Sequence, residues 1–376
     1  YAFVIYLANR FGEEILREIT QALSTKGTYN VAKGIEIATG ISGYTVFDDW
    51  IAERKEFYTN ATNNLQETSS TYIEKDGFFN FFPKMSPDGN HVAYLSNKGR
   101  DFSLASLYLK NTNGNEEVAV ISDRLFSNEA NHADAIKPTI TFISTSFSFS
   151  PDSKSIAYSV NKRNNLGEDY RDIFIFNLET KKHRRLTQSA RIESPIWSPI
   201  DNVIVAVQYN KGTQNLIQID PETGDITQLT TFSNGQTVYT PAWSPDGKSV
   251  YFAFAELDHR NIFRYEFDSR DIKPIDTFED TDSRDPFISP DGKRLYFASN
   301  PDGIFNIYTK SLESSDVQKL TSVVGGAFMP FVSGNNDLYF SEYEADGYKL
   351  KTALLSNTQS LETGSYKPAF KVDQIK

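Results

Sequence analysis

Ala242-Trp243-Ser244-Pro245-Asp246-Gly247-Lys248-Ser249-Val250-Tyr251-Phe252 reads as the end of one strand, a tight turn and the start of a second strand. Proline presets φ for the turn and glycine supplies the positive φ that closes it. The residues on either side are aromatic or β-branched, as strands favour. The same turn recurs, intact or decayed, at Ser86-Pro87-Asp88-Gly89, Ser150-Pro151-Asp152-Ser153, Ser198-Pro199-Ile200-Asp201, Ser289-Pro290-Asp291-Gly292 and Ser333-Gly334-Asn335-Asn336. Successive serines lie 64, 48, 46, 45 and 44 residues apart. A period of about 45 residues is the length of one four-stranded propeller blade.

Each copy keeps the same surroundings. A second strand alternates at Val92-Ala93-Tyr94, Ile156-Ala157-Tyr158, Leu295-Tyr296-Phe297 and Leu338-Tyr339-Phe340. A third begins at Asp172-Ile173-Phe174, Asn215-Leu216-Ile217, Asn261-Ile262-Phe263 and Asn306-Ile307-Tyr308, and a fourth ends in Leu186-Thr187, Leu229-Thr230 and Leu320-Thr321. The pattern predicts a mainly β chain, a six-bladed β-propeller over residues 70–355 with a small N-terminal α-helical segment. The last blade, made mainly by residues 327–354, lacks a fourth strand, and spacing assigns it Ser70-Thr71-Tyr72-Ile73-Glu74, which would tie the two ends of the ring together. The long first interval places an insertion at Ser122 to Thr141, either a surface excursion or a docking loop.

Residues 1–60 have a different period. Phe3, Leu7 and Phe11, then Ile15, Leu16, Ile19 and Leu23, then Val31, Ile35 and Ile37 recur at helical spacing. Gly40 suits a helix C-terminus, and Ser42 an N-cap with Ile41 and Val46 as a hydrophobic staple. That last helix is predicted to run to Tyr58, with Thr59-Asn60-Ala61-Thr62-Asn63-Asn64 as a polar linker. Residues 356–376 read as a tail, Lys367-Pro368-Ala369-Phe370 looking like a linker leading onward. The chain opens on Tyr1 in what reads as mid-helix, with neither a basic region nor a cleavage site, so a fragment of a longer protein is expected.

The 376 residues carry 38 basic and 49 acidic side chains, net −11, which argues against nucleic acid as a main partner. No cysteine is present, so disulfides and thiolate metal sites are excluded. No apolar run is long enough to span a membrane as a helix.

The x-Trp-Ser-Pro-Asp-Gly-Lys … Asn-Ile-Phe/Tyr … Leu-Thr pattern resembles the TolB-type, WD-like propeller repeat across residues 70–355. This resemblance implies an exported bacterial protein, periplasmic or at the outer membrane, that binds other proteins. Residues 1–58 differ from the N-terminal domain of TolB. Phe3-Val4-Ile5-Tyr6-Leu7-Ala8-Asn9-Arg10-Phe11-Gly12-Glu13-Glu14, Ala38-Thr39-Gly40-Ile41-Ser42 and Trp50 are similar instead to the C-terminal helices of a gluzincin, a peptidase MA-like domain.

A gluzincin needs H-E-x-x-H on a helix, two histidines for zinc and a glutamate as general base. His91, His132, His183 and His259 are far apart and all lie in the repeat. If zinc belongs to the whole protein, its ligands lie upstream, and no catalytic residue, metal ligand or cofactor is assigned within this chain. Gly40-Ile41-Ser42-Gly43 lacks the spacing of a hydrolase nucleophile elbow. Asp88, Asp152, Asp246 and Asp291 read as turn-capping residues rather than calcium ligands. The positions that break the repeat are the informative ones. Entry loops of the inner strands bring Asn80, Glu193, Tyr239, Arg284, Asp285 and Phe328 to one face, joined by Arg100, Arg163, Tyr170, His259, Arg260 and Phe305 from neighbouring loops. Arginines among aromatics suit a protein or peptide contact. The binding set expected there is Arg284, Asp285, Glu193, Tyr239, Arg260, Arg100 and Arg163. The expected function is a non-catalytic interaction module. The alternatives are a substrate-presenting or regulatory part of a secreted zinc metallopeptidase, and a glycan- or metal-binding propeller.

Overall fold

The computed structural model describes residues 2–27, 29–63, 65–98, 105–114, 117–121, 145–256, 259–275, 278, 281–314 and 316–355. They fall into two compact units, one ending at Gln66 and the other beginning at Glu67. The expected insertion, the tail and Arg100 lie outside the described residues.

The first unit holds four helices, α1 (Ala2–Phe11), α2 (Ile15–Lys26), α3 (Val31–Thr39) and α4 (Gly43–Thr62). Their apolar stripes meet in a core of Tyr6, Leu7, Ile15, Ile19, Ile35 and Val46. Gly40 ends α3 in the left-handed region at φ 74°, and Ile41 packs on the cluster containing Val46, as a staple requires. Ser42 stands at the N-cap but its hydroxyl makes no capping bond. α4 runs on through the expected linker to Thr62. No Gly or Pro lies between Tyr44 and Gln66 to break it, and polar residues continue a solvated helix end at little cost.

From Glu67 the chain forms six four-stranded antiparallel sheets among the described residues. In a typical blade the strands follow one another outward, as Thr237–Trp243, Ser249–Glu256, His259–Glu266 and Ile272–Pro274 do. The sixth blade takes Ala327–Val332, Asp337–Glu344 and Gly347–Leu354 from one end of the repeat and Thr71–Glu74 from the other. Thr71 pairs with Thr352 and Glu74 with Leu350, so the expected closing strand is in place.

Neighbouring blades bury their faces against each other. Ile173 and Ile175 of the second blade pack with Ile192, Ile204 and Ile217 of the third, and Tyr251 and Ile262 of the fourth with Leu295 and Phe297 of the fifth. The seam between the sixth and first blades carries aromatic and polar ties. Phe81 meets Tyr348 at 4.7 Å, and the Asn80 side-chain amide donates to the Tyr348 carbonyl at 2.8 Å.

The repeated motifs have visible causes. Ser244 Oγ donates to Asp246 Oδ1 at 2.6 Å and accepts from the Ser249 amide at 2.9 Å, joining turn to strand. Ser150 with Asp152 and Ser289 with Asp291 repeat the bond at 2.5 Å. Gly247 has φ 68°, and a Cβ there would fall 2.4 Å from Ile200 of the previous blade. The Leu-Thr pair lies just past the outer strand in three blades. Thr230 Oγ1 donates to Asn215 Oδ1 and accepts from the Leu216 amide, both at 2.9 Å. Thr321 does the same for Asn306 and Ile307.

The serine hydroxyls hold the carboxyls of Asp152, Asp246 and Asp291 below the ordinary aspartate range. A carboxyl lowered on folding contributes stability above its unfolded pKa, roughly 3.9, and that stability is lost as pH falls through the lower folded value. Replacing all three by Asn is expected to reduce the melting temperature at pH 7 and to flatten its decline between about pH 4 and 2.5. Melting curves across that range check this. An acid decline as steep as that of the parent chain would remove these turns from the account.

Candidate functional site

The inner strands share an irregularity that shapes the ring's centre. In five blades the register slips by one residue, between Phe81 and Lys84, Glu193 and Ile196, Tyr239 and Ala242, Arg284 and Phe287, and Phe328 and Phe331. The residue left over has positive φ in each: Phe82 (55°), Ser194 (53°), Thr240 (43°), Asp285 (56°) and Met329 (56°). Proline follows every time, at Pro83, Pro195, Pro241, Pro286 and Pro330. Proline offers no N–H, so it belongs where ladder bonding is already interrupted. Five non-glycine residues in a sparsely populated region is a concentration of backbone strain of the kind found at binding sites. The signal was present in the sequence as a proline three residues before the repeated serine.

Beyond the bulges a funnel of about 880 Å³ opens toward the Ser-Pro-Asp-Gly turns. Pro87, Pro151, Pro199, Pro245 and Pro290 form its rim, and Phe149, Trp197, Trp243, Phe287, Phe331 and Tyr339 line its wall. Trp243 is held rigid, stacked on Phe267 at 5.0 Å and donating from its indole to the Ile196 carbonyl at 3.2 Å. The charged groups in the lining are Lys84, Asp88, Asp285 and Asp337. Asp88 accepts from Ser86 at 2.5 Å and from Asn90 at 2.9 Å. Asp285 accepts from the Met329 amide and pairs with Arg284, each at 3.3 Å. Lys84 donates to Ser146 Oγ at 2.8 Å and to the Phe147 carbonyl at 2.5 Å in the next blade. The lysine is half-exposed as a whole, but its ammonium sits among these neighbours, and burial pushes its pKa down to about 8.

Of the residues expected from sequence, Asp285 lines this funnel. Arg284, Glu193, Tyr239, Arg260 and Arg163 stand at or beyond the opposite end of the inner strands, in separate groups. Arg260 grips Asp282 of the next blade by two bonds, at 2.7 and 2.5 Å, and lies over the Tyr239 ring at 5.5 Å. Arg284 lies over Phe328 at 5.3 Å and Phe305 at 5.8 Å. Glu193 pairs with Arg171 and accepts from the Gln214 amide at 3.2 Å. Arg163 is exposed and pairs with Asp169 at 3.2 Å. Among the described residues no group of three or more His, Asp or Glu is placed to hold a metal ion.

A model of the TolB beta propeller domain matches residues 190–366, which takes in the last four blades. A dipeptidyl-peptidase 5 of Porphyromonas gingivalis is 26% identical over 202 residues, 50% of this chain and 27% of its own length. The chain thus spans little more than a quarter of this curated relative. A puromycin-hydrolyzing peptidase of Mycobacterium tuberculosis superposes with a TM-score of 0.52 at 12% identity, over 82% of this chain and 48% of its own. An oligogalacturonate lyase in complex with manganese gives 0.51 at 12% identity, over 75% of this chain and 78% of its own. At such identity these structures share the fold alone.

Proposed function

We propose that this TolB-like six-bladed propeller is a non-catalytic module that binds a peptide or a protruding segment of a partner protein in an exported bacterial protein. The observation that carries the reading is the funnel. Its wall is aromatic and proline-rich, its backbone is braced by the bulges, and rigid apolar concavities of this kind bind at low entropic cost. Export to the periplasm or outer membrane belongs to the same proposal. No described helix is long and apolar enough to cross a membrane.

The match to a dipeptidyl-peptidase favours a second reading, in which the module presents or admits substrate for a peptidase unit of the same protein. The resemblance of the helical unit to the end of a gluzincin domain would make that unit a zinc enzyme, with its metal ligands outside this chain.

The test is a plug. Ala242 lines the funnel and is half-exposed, so Ala242→Trp fills it without cutting a hydrogen bond of its side chain. Immobilised protein is expected to retain members of a random peptide pool, and the plug is expected to reduce retention about tenfold, the factor for a hot-spot loss near 1.4 kcal/mol. Retention unaffected by the plug but lost in Arg284→Ala or Arg260→Ala would move the site to the opposite end of the channel.

A further inference from the structure

Lys84 is the only cation among the described residues lining the funnel, and no described carboxylate lies within the 4.0 Å of an ion pair. Its ammonium has three donors. Two are used on neutral oxygens, those of Ser146 and Phe147, which among the described residues leaves one donor and the charge without a counter-ion. The Phe147 ring, 5.6 Å away, adds only a weak π contact. The charged groups that share the funnel are the carboxylates of Asp88, Asp285 and Asp337. Asp88 is committed to its own turn, Asp337 accepts a long bond from Ser333 Oγ at 3.5 Å, and Asp285 is held by Arg284 and the sixth blade. Burying a charge without a partner is costly, and the seam could equally have been tied by a neutral donor such as Gln. A cation kept in an apolar wall, with a donor to spare, is suited to an anion brought from outside.

We propose that the funnel recognises its ligand by a peptide carboxylate, seated against Lys84 while the adjoining apolar residues pack on the aromatic wall. This rests on the funnel as the binding site. The carboxylate comes either from a chain terminus or from an Asp or Glu side chain, and both pair with an ammonium in the same way. An anion at Lys84 favours the protonated amine, so binding takes up a proton where the free site is neutral. Affinity therefore holds below about pH 8 and falls as pH rises beyond it.

The experiment uses three pools of N-acetyl tripeptides on the immobilised chain: free C-terminal acids, the matching amides, and amides that include Asp or Glu. At pH 7 the acids, or the Asp- and Glu-bearing amides, are expected to be retained at least tenfold over neutral amides. The pool that wins identifies the source of the carboxylate. The preference should fall toward unity at pH 10, and at pH 7 in Lys84→Met, with Lys84→Arg retaining it. The pH arm keeps the test decisive should Lys84→Met unfold. Equal retention of charged and neutral peptides overturns the role of Lys84 and leaves the funnel reading standing. A preference that survives pH 10 or Lys84→Met also overturns it. Retention of no pool overturns both.

Discussion

A chain beginning at Asp76 is expected to melt about 5–15 °C below one beginning at Asn60, because it lacks the strand that closes the ring. The strand Thr71–Glu74 is short and its pairing with Gly347–Leu354 is broken by a bulge. Side chains hold what backbone bonds alone would not. Tyr72 donates to Glu344 at 2.9 Å, and Lys351 lies over the Tyr72 ring at 4.6 Å. Glu74 pairs with Lys98 of the first blade at 2.5 Å and accepts from the Tyr94 hydroxyl at 2.9 Å. Lys110 donates to the Ile73 carbonyl at 3.2 Å, and Lys349 to the Lys75 carbonyl at 2.8 Å. Losing several bonds of about 1 kcal/mol each, and leaving half-buried lysines short of partners, gives a total of roughly 3–6 kcal/mol. Scanning calorimetry of the two chains is the measurement. Equal melting temperatures would mean that closure contributes nothing.

Asp172→Leu is expected to cost about 3–5 kcal/mol, against about 1 kcal/mol for Asp172→Asn. Asp172 is fully buried and accepts four bonds: Arg185 at 2.6 Å, and Thr187 Oγ1, the Ser189 amide and the Ala190 amide at 3.0 Å each. Leucine leaves two amides and a hydroxyl inside the blade with no acceptor. Asparagine keeps an acceptor oxygen, and Asn215 and Asn306 do the equivalent work in two other blades without an arginine. Denaturant unfolding of both variants checks the order. Equal costs would mean that the charge on Asp172, rather than its geometry as an acceptor, holds the corner.

The elements with local causes were legible in the residues themselves. Ser244-Pro245-Asp246-Gly247 makes its turn from its own side chains and glycine's φ, so the motif announces itself wherever it recurs. Gly40 ended its helix as read, by the left-handed conformation that residues with a Cβ seldom adopt. The closing strand followed from counting, because a blade with three strands exposes an edge that a nearby β-prone segment can cover. α4 runs past the expected end because Thr59, Asn60 and Thr62 are polar but no helix breaker stands among them, and polarity alone does not stop a helix.

The six-fold count of the blades, the turn chemistry and the absence of a thiol or an H-E-x-x-H site were settled by sequence, since each depends on residues close together or on composition. The funnel was decided by tertiary structure. It is assembled from one stretch in each of six strands, at intervals of 44 to 64 residues, and in five of them a bulge chooses which side chain reaches the lumen. Whether Arg260 is free to bind depends on Asp282 across a seam, and whether Lys84 has a counter-ion depends on every blade around the channel. Charge pairing acts through space over a few ångströms, and closing the ring is what brings residues so distant along the chain within that range.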